Sequence, residues 1–118
     1  MSALAPILHV ALGGALGSVL RHLAVTLFGA PWAVMGINVV GSFGMGVFYV
    51  ALSARLPLSP LMMTGLLGGF TTFSAFSLDT LKLWEAGRPL TAALYAGGSV
   101  LLSLLAVAAG VTLARSLQ

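Results

Sequence analysis

Four apolar stretches, near residues 5–28, 31–53, 60–86 and 89–114, constrain this chain more than any other feature. Each is about as long as the ~20 residues that cross the hydrocarbon core of a bilayer. A soluble chain of this size carries about 25% charged residues to cover its surface. Here 6% are charged and 59% are hydrophobic, with a mean hydropathy of +1.11. The outside of the folded chain must therefore face lipid. Pro6, Pro31, Pro60 and Pro89 stand at or near the starts of the stretches, where a missing N–H costs little, and Pro57 falls in a connection. The first stretch has no Lys or Arg ahead of its apolar run and is followed by further spans, so it is expected to be a retained helix rather than a signal peptide. The predicted fold is an all-α membrane protein, one four-helix transmembrane domain over residues 1–118, with no soluble domain or long linker.

Charge excludes several function classes. Five Lys/Arg against two Asp/Glu give a basic balance, yet the cations are scattered and form no nucleic-acid patch. There is no Cys, hence no disulfide framework and no thiol nucleophile. Phosphate-loop, nucleophile-elbow and zinc-protease motifs are all missing, so no enzyme is expected. Loop cations normally set orientation. With four spans, the N-terminus, Arg55 and Arg115 fall on one side, Lys82 and Arg88 fall on the other, and Arg21 lies towards that second side. Such a balance predicts insertion both ways round and an antiparallel, dual-topology homodimer. Small residues at small-xxx-small spacing, Gly13/Gly17, Gly14/Ser18, Ser42/Gly46 and Ala106/Gly110, predict close helix contacts and support oligomerisation.

The third stretch carries the sharpest chemistry. Gly68-Gly69-Phe70-Thr71-Thr72-Phe73-Ser74-Ala75-Phe76-Ser77 puts a glycine pair, a run of hydroxyls and three phenylalanines at membrane depth. Irregular backbone there is tolerated only inside protein or beside a polar cavity, and broken helices of this kind hold substrates or ions. Unwinding is expected at Gly68-Gly69, which would release carbonyl oxygens able to coordinate Na+. Phe73 and Phe76 project from one helical face. Their ring edges are positive and can meet an anion without a fixed counter-charge that would trap it. Thr72, Ser74 and Ser77 add hydroxyl donors along the same element. Two other helices carry polar groups. Asn38, with Gly41 and Ser42 on its face, either ties helices together or holds an anion in transit. Arg21 shares a face with Gly14, Gly17 and Ser18, and it either meets a partner or wet cavity or snorkels to headgroups. His9 and His22 lack metal-pair spacing and read as interfacial or packed.

These segments resemble the Fluc/CrcB family of fluoride channels over most of the chain. The resemblance is carried by Gly13-Gly14-Ala15-Leu16-Gly17 leading to Arg21, by Asn38-Val39-Val40-Gly41-Ser42-Phe43, and above all by Gly65 through Ser77. It implies an antiparallel homodimer with two fluoride pathways and a central structural Na+ bound by the backbone carbonyls of Gly68 and Thr71. It implies that Phe73 and Phe76 line the pathways, that Asn38, Ser74, Ser77 and Thr72 are polar donors, and that Arg21 influences a vestibule. Two positions depart from the family pattern: Ala75 stands where Thr is usual and Asp79 where Glu is usual. The expected function is passive, selective export of cytoplasmic fluoride through a bacterial inner or plasma membrane. A small proton-coupled multidrug-type exporter is the main alternative, but the first two helices lack the carboxylate it needs. A structural subunit of a larger membrane complex is the other.

Overall fold

The computed structural model describes residues 3–52 and 58–118. Arg55, Pro57 and the predicted end of the second stretch at residue 53 lie outside the described residues. Helix α1 spans Leu4–Phe28 and α2 spans Trp32–Ala51. The third stretch is composite. A π-wound segment, Pro60–Leu67, runs into a single α turn, Gly68–Phe70, and the two together form α3. After two non-helical residues, α4 runs over Phe73–Glu85, and α5 over Pro89–Ser116. Four segments are long and apolar enough to cross a membrane: Leu4–Phe28, Trp32–Ala51, Pro60–Glu85 and Pro89–Ser116. The sequence-predicted stretches match these within a few residues.

The helix ends follow from local chemistry. Pro60 and Pro89 occupy first-turn positions, where no intrahelical N–H bond is lost. Gly87, at φ +75°, closes α4 with bonds from its own N–H to Trp84 O and from Arg88 N–H to Leu83 O. This is the Schellman pairing, which needs a left-handed residue after the helix.

The molecule measures 53 × 32 × 22 Å along its principal axes. Its main pairings are α2 with α5 and α1 with α3, and α4 leans on α5. Both main pairings are backbone-close. A Cβ at Gly17 would run into Leu66 O and stand 2.8 Å from Phe70 N, and one at Gly46 would run into Val107 O and stand 2.9 Å from Val111 N. Gly110 returns the α2–α5 contact against Phe43 O. Gly13, Gly17, Gly46 and Gly110 thus serve helix contacts inside one chain, the close packing that their spacing predicts.

Little of the chain is truly interior. Its largest wholly buried side chain, Tyr95, packs with Leu83, Ala92, Met35 and Phe76. Leu12, Leu104 and many other large apolar side chains remain exposed, as expected where lipid rather than water is the solvent.

Candidate ion pathway around the third span

Thr71 and Thr72 interrupt the third span. Their φ/ψ values are −82°/156° and −153°/121°, both extended. Gly68 and Gly69 are helical, so the expected site of unwinding moves from the glycine pair to the threonine pair. The glycines serve another end: a Cβ at Gly69 would stand 2.6 Å from Gly14 O, so the pair lets α3 lie against α1.

The reason for the displacement is a set of side chains that replace helical partners one by one. The amide of Asn38 grips the Thr72 peptide on both sides, accepting from Thr72 N at 2.8 Å through Oδ1 and donating from Nδ2 to Thr72 O at 3.0 Å. Thr72 N is therefore not bonded to Gly68 O, its helical acceptor. Arg21 Nε donates to Gly69 O at 3.2 Å. Thr72 Oγ1 accepts from Ala75 N at 3.1 Å and caps α4, which takes that donor from Thr71 O. Thr71 itself closes the preceding turn, its N–H and its hydroxyl both donating to Leu67 O, at 3.0 and 2.9 Å. Backbone groups that lipid would leave unsatisfied are thus held by side chains from α1 and α2 and by those of Thr71 and Thr72 themselves, while the carbonyls of Gly68 and Thr71 are released from helical pairing.

A groove of about 410 Å³ opens beside the interruption, lined among others by Asn38, Thr71, Thr72, Phe73 and Phe76. The Phe73 and Phe76 rings lie 5.4 Å apart at 51°, and Phe76 continues onto Tyr95 at 5.6 Å. Phe73 is 76% exposed, so one wall of the groove is open along the side of the chain. Ser74 and Ser77 do not line this groove. Ser74 Oγ lies 3.3 Å from Thr72 Oγ1, and the Ser77 hydroxyl donates to Phe73 O at 2.9 Å.

The opposite wall holds residues that the site reading had missed. These are Ser99 and Ser103 from α5, while Ser42 lines the groove from α2, on the Asn38 face where its spacing puts it. Tyr95, Ser99 and Ser103 recur at i, i+4 and i+8, a polar stripe in an otherwise apolar helix that the spacing alone could have revealed. Ser99 Oγ, Tyr95 OH and Asp79 Oδ2 are buried with no hydrogen-bond partner. Unpaired buried polar atoms are costly, so Ser99 Oγ in the groove wall suits a site that receives a small polar guest, while Tyr95 and Asp79 face each other outside that groove.

A second pocket, of about 430 Å³, lies against the Arg21 side of the interruption. Arg21 and His22 from α1 and Asp79 and Lys82 from α4 line it, with Ala75 in the wall. The bond to Gly69 O decides between the two readings of Arg21: it has a partner and a polar cavity, and it does not merely snorkel. His22 is exposed on the same pocket, whereas His9 lines neither cavity. No cluster of His, Cys, Asp or Glu able to hold a metal occurs among the described residues, so any cation site here must be built from neutral oxygens.

Residues 8–111 match the family described as CrcB-like protein, Camphor Resistance (CrcB). The chain belongs to the CrcB family. Its curated relatives agree along nearly their whole length. A protein of Cereibacter sphaeroides named fluoride-specific ion channel FluC is 51% identical over 116 residues, covering 92% of this CrcB chain and 94% of the relative. Relatives of the same name from Paracoccus denitrificans, 49% identical over 117 residues, and Chelativorans, 47% over 118, each cover 92% or more of both chains. The CrcB chain is therefore a multi-pass membrane protein, as its four spans require.

Proposed function

We propose that this chain is a fluoride-specific channel that passively releases cytoplasmic fluoride across the cell's inner or plasma membrane. The observation that carries the reading is the groove in which interrupted backbone, two phenylalanine rings and the unpaired buried hydroxyl of Ser99 converge. Relatives that share about half of its residues are named for that activity. Nothing in those relatives favours the exporter or the structural-subunit reading.

The physical logic is one of replacement without trapping. A fluoride ion leaving water needs hydrogen-bond donors and positive edges, and it must also be able to leave them. Phe73 and Phe76 supply ring edges. Asn38 uses one Nδ2 hydrogen on Thr72 O and keeps the second for an ion. The hydroxyls of Thr72, Ser99 and Ser103 extend the donor series in the groove, and Ser74 and Ser77, outside it, add donors along α4, Ser77 only on releasing Phe73 O. No energy source beyond the membrane potential is required, since an inside-negative potential expels an anion with about 2.3 kcal/mol per charge per 100 mV.

The working unit in this proposal is an antiparallel, dual-topology homodimer. Even charge placement supports it, and so does the open side of the groove, where Phe73 stands exposed. The third span acts there as a broken helix whose two copies meet near the membrane centre. The donor set fits a structural Na+ at that meeting point: Gly68 is exposed, and the carbonyls of Gly68 and Thr71 are free of helical bonds. When bound, the ion supplies a fixed positive charge that favours anions nearby.

The test is fluoride release from proteoliposomes, followed with a fluoride electrode after a K+ ionophore sets the voltage, with chloride run in parallel. Rapid fluoride loss without chloride loss is expected. A folded protein that releases neither ion would overturn the channel assignment.

A further inference from the structure

We infer that Lys82 is a fluoride-collecting residue: the second pocket works as an anion vestibule whose net positive charge depends on it. This rests on the channel reading above and assigns a residue that the conduction groove does not contain.

Four ionisable side chains line the pocket. From α1 come Arg21 and His22, from α4 come Asp79 and Lys82, and the α1–α2 connection and α2 add only the apolar Ala30 and Val34. Their charges do not act alike. Arg21 is tied through Nε to Gly69 O, so it is fixed at the pocket floor. Asp79 is 8% exposed, its carboxylate faces the buried Tyr95, and its Oδ2 has no hydrogen-bond partner to spread its charge. Counting Arg21 and Lys82 as positive, Asp79 as negative and His22 as neutral, the pocket carries a net charge of +1. Without Lys82 the same sum is zero, and the carboxylate next to the conduction groove faces an incoming anion with only one committed guanidinium to offset it.

Position completes the argument. Ala75, Asp79 and Lys82 fall at i, i+4 and i+7 on one face of α4, so they form a line along the pocket wall. Asp79 neighbours Tyr95, Tyr95 stacks on Phe76, and Phe76 lines the conduction groove. Lys82 is exposed at the outer end of that line, and the rings stand at its inner end. Clefts lined with one sign of charge raise the local concentration of the oppositely charged substrate. The competing explanation is that Lys82, in the last turn of α4, serves only the helix dipole. That role would change stability and would be indifferent to fluoride concentration.

The experiment is fluoride current across planar bilayers of neutral lipid for the wild-type protein, Lys82→Gln and Lys82→Arg, at low and at saturating fluoride, in low salt and in about 1 M of an impermeant salt. At low fluoride and low salt, Lys82→Gln is expected to carry about two- to fivefold less current, the size of one unit charge acting across a wet pocket. The deficit should vanish at saturating fluoride or at about 1 M salt, where the screening length shrinks to about 3 Å. Lys82→Arg should conduct like the wild type. An unchanged Lys82→Gln current at low salt, or a deficit that persists in high salt and at saturation, would overturn the inference while leaving the channel itself standing. Absence of fluoride current from the wild-type protein would overturn both.

Discussion

Asn38 does for Thr72 what a neighbouring strand does for a residue in a sheet, accepting its N–H and donating to its carbonyl. A lone intramembrane amide permits two readings, and the geometry gives Asn38 the tying role: the interruption at Thr71-Thr72 exists in this form because Asn38 satisfies it. The two roles are not exclusive, since the second Nδ2 hydrogen remains. Asn38→Ala would leave both polar groups of the Thr72 peptide without partners in a buried setting, at a cost of about 1–3 kcal/mol for each. The expected outcome is a chain with a lower thermal midpoint in detergent and fluoride release reduced to near background. Asn38→Asp, which keeps the acceptor for Thr72 N and loses the donor, should unfold at an intermediate temperature and still fail to conduct, because it puts a negative charge beside the path. Equal thermal midpoints for Asn38→Ala and the wild type would show that the clamp does not hold the interruption.

At the scale of elements, the spans were legible because length and hydropathy leave a membrane chain few choices. The finer winding was not. The Gly68-Gly69 pair reads as the weak point of the third stretch, yet the helix continues through it and opens two residues later. Local propensity is outvoted by distant groups: Asn38 lies 34 residues away and Arg21 lies 48 residues from the carbonyl it holds. The α5 side of the groove was missed for a different reason. Ser99 and Ser103 look like ordinary small packing residues until α2 and α4 place a groove beside them. Glycine spacing predicted close approach correctly without saying which helices meet, because the same backbone contact can join helices within a chain or between chains. Gly17→Ala and Gly97→Ala separate tight glycines from loose ones. A Cβ at Gly17 meets backbone atoms of α3 that cannot swing aside, whereas one at Gly97 meets nothing within 4 Å. Gly17→Ala should destabilise by about 1–3 kcal/mol or more, and Gly97→Ala should gain up to about 1 kcal/mol of helix propensity. Thermal denaturation in one detergent checks both, and equal midpoints would contradict the α1–α3 packing.

For the whole molecule, the decisive quantity is where the charges sit relative to the two membrane faces. Lys82 and Arg88 flank the junction of α4 and α5 with Arg21 towards the same end, and Arg115 lies at the far end of α5, so the described cations are divided between the two ends of the bundle. Arg55 adds to the Arg115 side in the sequence, which leaves neither end with a commanding excess. Since loop cations bias the cytoplasmic side, a chain balanced in this way sits near the tipping point between two orientations. A reporter fused to the C-terminus should therefore be found on both membrane faces. Adding a pair of lysines near the N-terminus should drive nearly all copies one way, and the opposite bias, lysines placed beside Arg88, should drive them the other way. If the open groove walls of two oppositely inserted chains must meet to complete the path, each biased variant alone should lose fluoride release, and expressing the two together should restore it. Full release from either biased variant alone would mean that one orientation suffices, and the antiparallel assembly would have to be abandoned in favour of a parallel pair or a single chain.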